Sequence, residues 1–282
     1  MEVNQVYQGD CREWLESLPD ESVDCIITDP PFSGLVNKSK SKNGGRFSRE
    51  ENHIYFDDMS ERAFLLFMRK TFQEIYRIAK IGSHLYCFTD WKQLRNMADT
   101  LELASWKIVN IICWDKGHFG CGAGYRSQSE YILVFSKGLP KTFNLRNVAN
   151  VIKAKRQNKL HPHQKPDELI EIFIKNSTQE NDVVCDPFLG SGVVALCSQK
   201  LNRKWVGSEI SKDYCNLINK RIGNNLSGFI RTSPEGDFSN EKEHNISLKD
   251  NSNELSQMSN DTSLNNNIKC NFAFGKTQKP HD

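Results

Sequence analysis

The stretch Asp182-Val183-Val184-Cys185-Asp186-Pro187-Phe188-Leu189-Gly190-Ser191-Gly192-Val193-Val194-Ala195 decides the fold. A short apolar run, Val183 to Cys185, ends at an acidic residue and a proline, passes two glycines, and gives way to a helical pattern. The expected order is strand, tight turn, helix. Glycines in such a turn let the backbone approach a bound molecule closely, and the helix that follows offers N–H groups with no intrahelical partner. About twenty residues on, after Trp205-Val206-Gly207-Ser208, comes Glu209, where a carboxylate would accept ribose hydroxyls. The spacing is not that of G-x-G-x-x-G, so a plain glycine turn with a surface glutamate stays open at this level.

Outward from this stretch, short apolar runs alternate with helical periodicity, the signature of an α/β domain with a largely parallel sheet. Strands are expected at Val23–Thr28, Ser83–Thr89, Lys107–Trp114, Tyr131–Phe135, Asp182–Asp186 and Lys204–Ser208. The clearest helix is Glu61 to Lys80, with Phe64, Phe67, Met68, Phe72, Ile75, Tyr76 and Ala79 at three- and four-residue intervals and Gly82 as its stop. Others are expected near Lys92–Leu103, Asp167–Asn176, Gly192–Lys200 and Lys212–Ile222. Lys107–Trp114 and Tyr131–Phe135 are joined without a helix, which predicts an antiparallel pair. The glycines between them, Gly117, Gly120, Gly122 and Gly124, open no helix and read as a flexible loop.

Directly after the first strand stands Asp29-Pro30-Pro31-Phe32. Ligands of open α/β sheets bind outside the carboxyl ends of the strands, so this tetrapeptide lies where chemistry is expected. Two prolines stiffen the backbone and remove donors, leaving the Asp29 carboxylate and the Pro30 carbonyl as acceptors beside the Phe32 ring. An aromatic amino group, with two N–H donors and a flat ring, matches that set. Taken alone, the tetrapeptide is also compatible with a proline turn that ends a strand.

Bulk properties narrow the class. The 282 residues, 26% of them charged and 38% hydrophobic, suit a folded protein with one main core plus appendages. No apolar run reaches the ~18 residues of a membrane span, and the first residues do not resemble a secretory leader, so cytoplasmic residence is expected. Nine cysteines without a C-x-x-C pair read as reduced, mostly core residues, and no metal site is expected. The net charge of +2 divides into +4 over residues 1–227 and −2 over residues 228–282. The latter, rich in Asn and Ser, is expected to be a disordered polar tail. Two stretches are basic with no acid among their cations: Lys38, Lys40, Lys42, Arg46 and Arg49, inside a loop at 33–51 expected to be mobile, and Lys153, Lys155, Arg156, Lys159 and Lys165.

Taken together, these residues resemble the β-group of amino DNA methyltransferases, of the restriction–modification or phage type. Asp29-Pro30-Pro31-Phe32 resembles that family's amino-methylation signature, and Phe188-Leu189-Gly190-Ser191-Gly192 its F-x-G-x-G cofactor loop, in the permuted order with the tetrapeptide first. Gly9-Asp10-Cys11, Tyr125-Arg126-Ser127 leading to Glu130, Phe135-Ser136-Lys137-Gly138 and His161-Pro162-His163-Gln164-Lys165-Pro166 extend the resemblance over roughly residues 5–222. His163 departs from it, since the family often has Thr there.

The resemblance implies a Rossmann-like seven-stranded methyltransferase sheet over residues 1–227, S-adenosylmethionine as cofactor and double-stranded DNA as substrate. It further implies that Asp10 approaches the cofactor adenine, that Asp186, Phe188, Gly190, Ser191 and Gly192 serve its methionine and adenosine parts, and that Glu209 meets its ribose. Lys165 is expected near the methionine carboxylate. Catalysis would fall to Asp29, Pro30, Pro31 and Phe32, the basic stretches would touch phosphates, and residues 139–160 would form a short target-recognition segment. Asp at the first tetrapeptide position favours adenine N6 over cytosine N4. A non-catalytic relative that binds DNA or cofactor, and a protein-amide methyltransferase, are the competing classes. Cytosine C5 chemistry would need a Cys nucleophile, usually in a Pro-Cys context, and the sequence has no Pro-Cys dipeptide. Family habit suggests a cognate restriction endonuclease that makes no direct contact, and a homodimer.

Overall fold

The computed structural model describes residues 1–31, 59–120, 123–156 and 164–226. The chain divides into two units, Met1–Thr232 and Ser233–Asp282, and the second lies outside the described residues. The expected mobile loop at 33–51 and the expected disordered tail at 228–282 also lie outside them.

The strands are β1 (Gln5–Gln8), β2 (Val23–Thr28), β3 (Ala79–Thr89), β4 (Lys107–Asp115), β5 (Ser129–Ser136), β6 (Val151–Lys153), β7 (Val183–Asp186) and β8 (Lys204–Glu209). The helices are α1 (Cys11–Glu16), α2 (Glu61–Ile78), α3 (Leu94–Leu103), α4 (Asp167–Ser177), α5 (Val193–Lys200) and α6 (Lys212–Leu226). One sheet runs β1-β8-β7-β2-β3-β5-β4-β6. Its first five strands are mutually parallel, β5 lies antiparallel to both β3 and β4, and β6 is parallel to β4.

Every residue of β2 is buried, as befits a central strand covered on both faces. Alternate side chains part the core into two layers. Ile26, Leu85, Cys87, Leu133 and Phe135 face α1, α2 and α3, where Trp14, Phe64, Phe72 and Leu101 meet them. Cys25, Ile27, Tyr86, Phe88 and Val134 face α4 and α5 on the other side, through Ile170, Phe173 and Val194. Trp205 of β8 packs on Ile218 of α6 on that same side.

The α/β class, the largely parallel sheet and the antiparallel β4/β5 pair agree with the sequence reading. The count differs. An eighth strand, β6, pairs three residues with Cys113, Trp114 and Asp115 at the sheet's edge. Gly82 is not the stop of α2. The helix ends at Ile78, Ala79 is already extended and paired with Val23, and Gly82 lies inside β3 with φ at 83°.

β2 and β7 are neighbours, yet the chain leaves β2 for β3 on one side and β7 for β8 on the other. The crevice between their carboxyl ends is therefore a topological switch point, where open α/β sheets bind ligands. Asp29 follows β2 and Asp186 closes β7, so the topology brings both motifs to one place.

Candidate active site at the switch point

The glycine loop is held from below and from the side. Leu189 N–H donates to the Ser208 carbonyl at 3.0 Å, and the Ser208 hydroxyl donates to the Pro187 carbonyl at 2.7 Å. Gly192 takes the left-handed conformation as N-cap of α5, φ 77°, and a Cβ there would stand 2.7 Å from Ile218 Cγ1. Glycine is needed at that position on both counts.

Glu209 is tied to the loop. Its Oε2 accepts Gly190 N–H and its Oε1 accepts Ser211 N–H, both at 2.8 Å. Burial raises its pKa, and those backbone donors oppose the rise. Asp186, 3% exposed, accepts Phe188 N–H at 3.0 Å, and burial pushes its carboxyl up to about 8. Asp10 caps α1, accepting Arg12 N–H at 2.9 Å and pairing with the Arg12 guanidinium at 2.6 Å, which holds its carboxyl below the ordinary value.

These groups surround a cavity of about 520 Å³. Asp10, Asp29, Pro31, Phe188, Gly190 and Glu209 line it, as do Arg12, Met59, Phe67 and Ile210. A second cavity of about 720 Å³ opens beside Asp29, Pro30 and Pro31 and is lined further by Trp91, Trp114, Glu130, Arg156 and Lys165. Asp29 and Pro31 border both. A smaller pocket of about 110 Å³ joins Asp29 and Lys165 to Asp186, Phe188, Gly190 and Ser191.

Lys165 ends in a bifurcated contact. Its Nζ lies 2.9 Å from Asp29 Oδ2 and 3.1 Å from Glu130 Oε2, under the rings of Phe88 and Trp114 at 5.0 and 5.9 Å. Burial would lower the Lys165 pKa, but the two carboxylates outweigh it and raise it. Glu130 also receives Arg156 Nη2 at 2.5 Å and Lys116 Nζ at 3.4 Å. Burial would raise its pKa, yet the three cations bring it down to about 2.

The structure thus brings Asp10, Asp29, Pro30, Pro31, Lys165, Asp186, Phe188, Gly190, Ser191 and Glu209 to one crevice, with Gly192 supporting the loop from the start of α5. Phe32, Lys38, Lys40, Lys42, Arg46, Arg49 and Lys159 lie outside the described residues. Lys153 and Lys155 are exposed. Arg156 is engaged with Glu130 rather than standing apart as a surface cation. Sequence reasoning missed the wall that α2 contributes through Ala63, Leu66 and Phe67. Only the 60% exposure of Leu66 beside an apolar stripe marks it, and that is visible in three dimensions alone. The segment 140–150 lines a separate cavity of about 470 Å³ against α4, and Asn144 fastens it there through the Lys175 and Thr178 carbonyls.

The switch-point crevice of this Rossmann-like fold thus holds a glycine loop, a carboxylate tied to it, and Asp29 and Pro31 on the border of two cavities. Comparison makes this specific: the DNA methylase model of the N6/N4 type matches residues 23–220, and the chain belongs to that family, whose members use S-adenosylmethionine and methylate DNA. Among curated relatives, it is 29% identical to the type II methyltransferase M.HpaI of Haemophilus parainfluenzae, over 76% of this chain and 73% of that protein. It is 27% identical to M.HinfI of Haemophilus influenzae, over 78% and 68%. Both relatives are type II methyltransferases. Among solved structures, the S-adenosylmethionine complex of M1.HpyAVI superposes with a TM-score of 0.57 at 24% identity, covering 77% of this chain and 98% of that one. The cytosine-N4-specific PvuII DNA methyltransferase superposes with a TM-score of 0.61 at 17% identity, covering 82% and 87%. At these identities the superpositions bear on the fold.

Proposed function

We propose that the protein methylates adenine N6 in double-stranded DNA, on a target base turned out of the duplex into the 720 Å³ cavity. The observation that carries this reading is the position of Asp29 and Pro31 on the border of both cavities. A methyl donor on one side and a planar amine on the other would meet at that border.

The 520 Å³ cavity fits S-adenosylmethionine: its volume is that of a small-molecule site, and it combines carboxylates at Asp10 and Glu209 with apolar walls at Phe67, Phe188 and Ile210. Bound there, S-adenosylmethionine supplies an electrophilic sulfonium methyl. In this reading Glu209 receives ribose hydroxyls, Asp10 approaches the adenine, and the pocket shared by Asp186, Ser191 and Lys165 serves the methionine end.

The chain's own task is to activate a poor nucleophile, because the amino lone pair is conjugated with the ring. Asp29 and the Pro30 carbonyl accept its two N–H donors and draw the nitrogen toward tetrahedral geometry, with the lone pair aimed across the border. No covalent enzyme intermediate is needed: as the nitrogen–methyl bond forms, the methyl–sulfur bond would break to leave a neutral thioether, and the surplus amine proton would pass to solvent. Positioning and fixed acceptors supply the rate. Trp91, 61% exposed, offers aromatic surface to a flipped base, together with the Phe32 named by the sequence.

Residues 1–227 act as the methyltransferase domain in this proposal. Lys153 and Lys155 contact phosphates along with the basic loop, residues 139–160 contribute to site selection, and the protein works in the cytoplasm beside an endonuclease it does not touch, as a homodimer. Asp at position 29 supports adenine, while the likeness to a cytosine-N4 enzyme supplies the competing outcome. Digestion of treated DNA to nucleosides and mass spectrometry decides between them. N6-methyldeoxyadenosine is expected, and N4-methyldeoxycytidine in its place would move the substrate.

A further inference from the structure

Five charged side chains from five separate segments converge behind the tetrapeptide. Asp29 follows β2, Lys116 follows β4, Glu130 lies in β5, Arg156 follows β6, and Lys165 precedes α4. They form a chain of contacts with a direction. Lys116 and Arg156 both reach Glu130 Oε1, the other Glu130 oxygen meets Lys165 Nζ, and Lys165 Nζ meets Asp29 Oδ2. Glu130 and Lys165 are 13% and 9% exposed in their side chains, whereas Asp29 at the end of the chain is 30% exposed.

An ion pair that served stability alone would need one cation for Glu130. Here three surround it, and the most enclosed of them is turned toward the reacting edge. A lysine ammonium is a point charge on a flexible stem, so its direction must be set by what holds it. Phe88 and Trp114 confine it from the side but give it no unique direction along the stem. Glu130, anchored from behind by two further cations, does.

We propose that Glu130 is a positioning residue for methyl transfer, holding the Lys165 ammonium and through it the orientation of the Asp29 carboxylate that grips the target amine. The inference rests on the assignment of Asp29 made above. With Glu130 in place the ammonium is divided between two carboxylates. Without it Lys165 collapses onto Asp29 alone, and the amine meets an acceptor already committed and wrongly turned. Arg156 thereby belongs to the catalytic support, although its neighbours Lys153 and Lys155 point to DNA by charge.

The test uses full-length protein with Glu130→Gln, Lys165→Met and the double variant, measuring kcat, the S-adenosylmethionine Kd and the ¹⁵N signal of the Lys165 ammonium. Glu130→Gln is expected to lower kcat by about 10- to 100-fold, the scale of a small misplacement of reacting groups, with a smaller loss of cofactor affinity because Lys165 also borders the pocket given to the methionine end. Because Glu130 acts through Lys165, the double variant should be no slower than Lys165→Met, a non-additivity that independent sites do not show. The Lys165 ammonium should give a distinct, slowly exchanging ¹⁵N signal in the wild type and lose it in Glu130→Gln. An unchanged kcat, losses that multiply in the double variant, or a signal that survives Glu130→Gln would each overturn the inference. Arg156→Ala, which keeps Glu130 in the fold, is the second probe and should give a smaller kcat loss; no loss there counts against the clamp. If the wild type methylates no DNA, the assignment of Asp29 fails while the ¹⁵N signal still reports on the clamp.

Discussion

Replacing Gly207 by alanine should damage the cofactor loop from beneath. Gly207 lies in β8, and a Cβ built on it would stand 2.5 Å from both Cγ and Cδ1 of Leu189 and 2.6 Å from the Asp186 carbonyl oxygen. Leu189 is 3% exposed and packed among Ala195, Trp205, Ile218 and Ile222, so its side chain has no room to turn aside. The Asp186 carbonyl belongs to β7, whose register with β8 pairs Asp186 with Gly207 directly. Overpacking a filled core costs about 1–3 kcal/mol, and a backbone atom among the colliding groups puts this variant near about 3 kcal/mol. At about 2–4 °C per kcal/mol for a unit of this size, Tm should fall by about 6–12 °C. Relief must come from moving residues 188–190, which carry the N–H that Glu209 accepts, so affinity for S-adenosylmethionine should fall as well. Gly190→Ala is the control. Its φ is +50° but its nearest neighbour is 3.9 Å away, so only left-handed strain of about 1–2 kcal/mol is added. Thermal denaturation and calorimetric titration with S-adenosylmethionine check both variants. A Gly207→Ala protein that melts with wild type, or that is hardier than Gly190→Ala, would refute the packing argument.

Three other outcomes follow from the same structure. Asp186 is pushed up to about 8 from 3.8, so between those values the folded protein keeps a proton that the unfolded chain releases. Stability from this group is therefore present at low pH and lost as pH rises toward 8, with a slope of at most about 1.4 kcal/mol per pH unit, and Asp186→Asn should flatten that slope in urea melts of cofactor-free protein. Lys153→Ala with Lys155→Ala should weaken DNA binding and reduce the slope of log K against log salt by about 1.8, read from titrations at several salt concentrations. Arg77 donates to the Leu15 and Leu18 carbonyls at 2.8 and 2.9 Å and pairs with Asp20 and Glu74, at the end of α2 beside the start of β2 and so at the end of the strands opposite the site. Arg77→Ala should cost about 2 kcal/mol while specific activity of the folded fraction stays at the wild-type value.

The long apolar runs were legible because burial on both faces leaves little freedom of composition. β2 has the bounds read from sequence, and the β4/β5 pair is antiparallel, as a connection without a helix implied. β1 and α1 were not read. Three of the four β1 side chains are exposed and its residues are mixed in polarity, so no period shows. Asp10 as a helix cap before Trp14 and Leu15 was the signal that could have revealed α1. β6 is three residues, two of them exposed, and owes its strand form to its neighbour Cys113–Asp115. At the site, motif residues adjoining strand ends could be placed by the switch-point rule alone. The convergence of Lys116, Glu130, Arg156 and Lys165 could not, since it depends on how β4, β5 and β6 lie side by side.

The most direct test of the central claim is transfer of a labelled methyl group from S-adenosylmethionine to unmethylated duplex DNA, with Asp29→Ala measured beside the wild type and cofactor binding followed in both. Label should enter the DNA with the wild type and not with Asp29→Ala, although the variant still binds cofactor. Equal transfer by the two proteins would contradict the role given to Asp29, and no transfer by either would contradict the proposed activity.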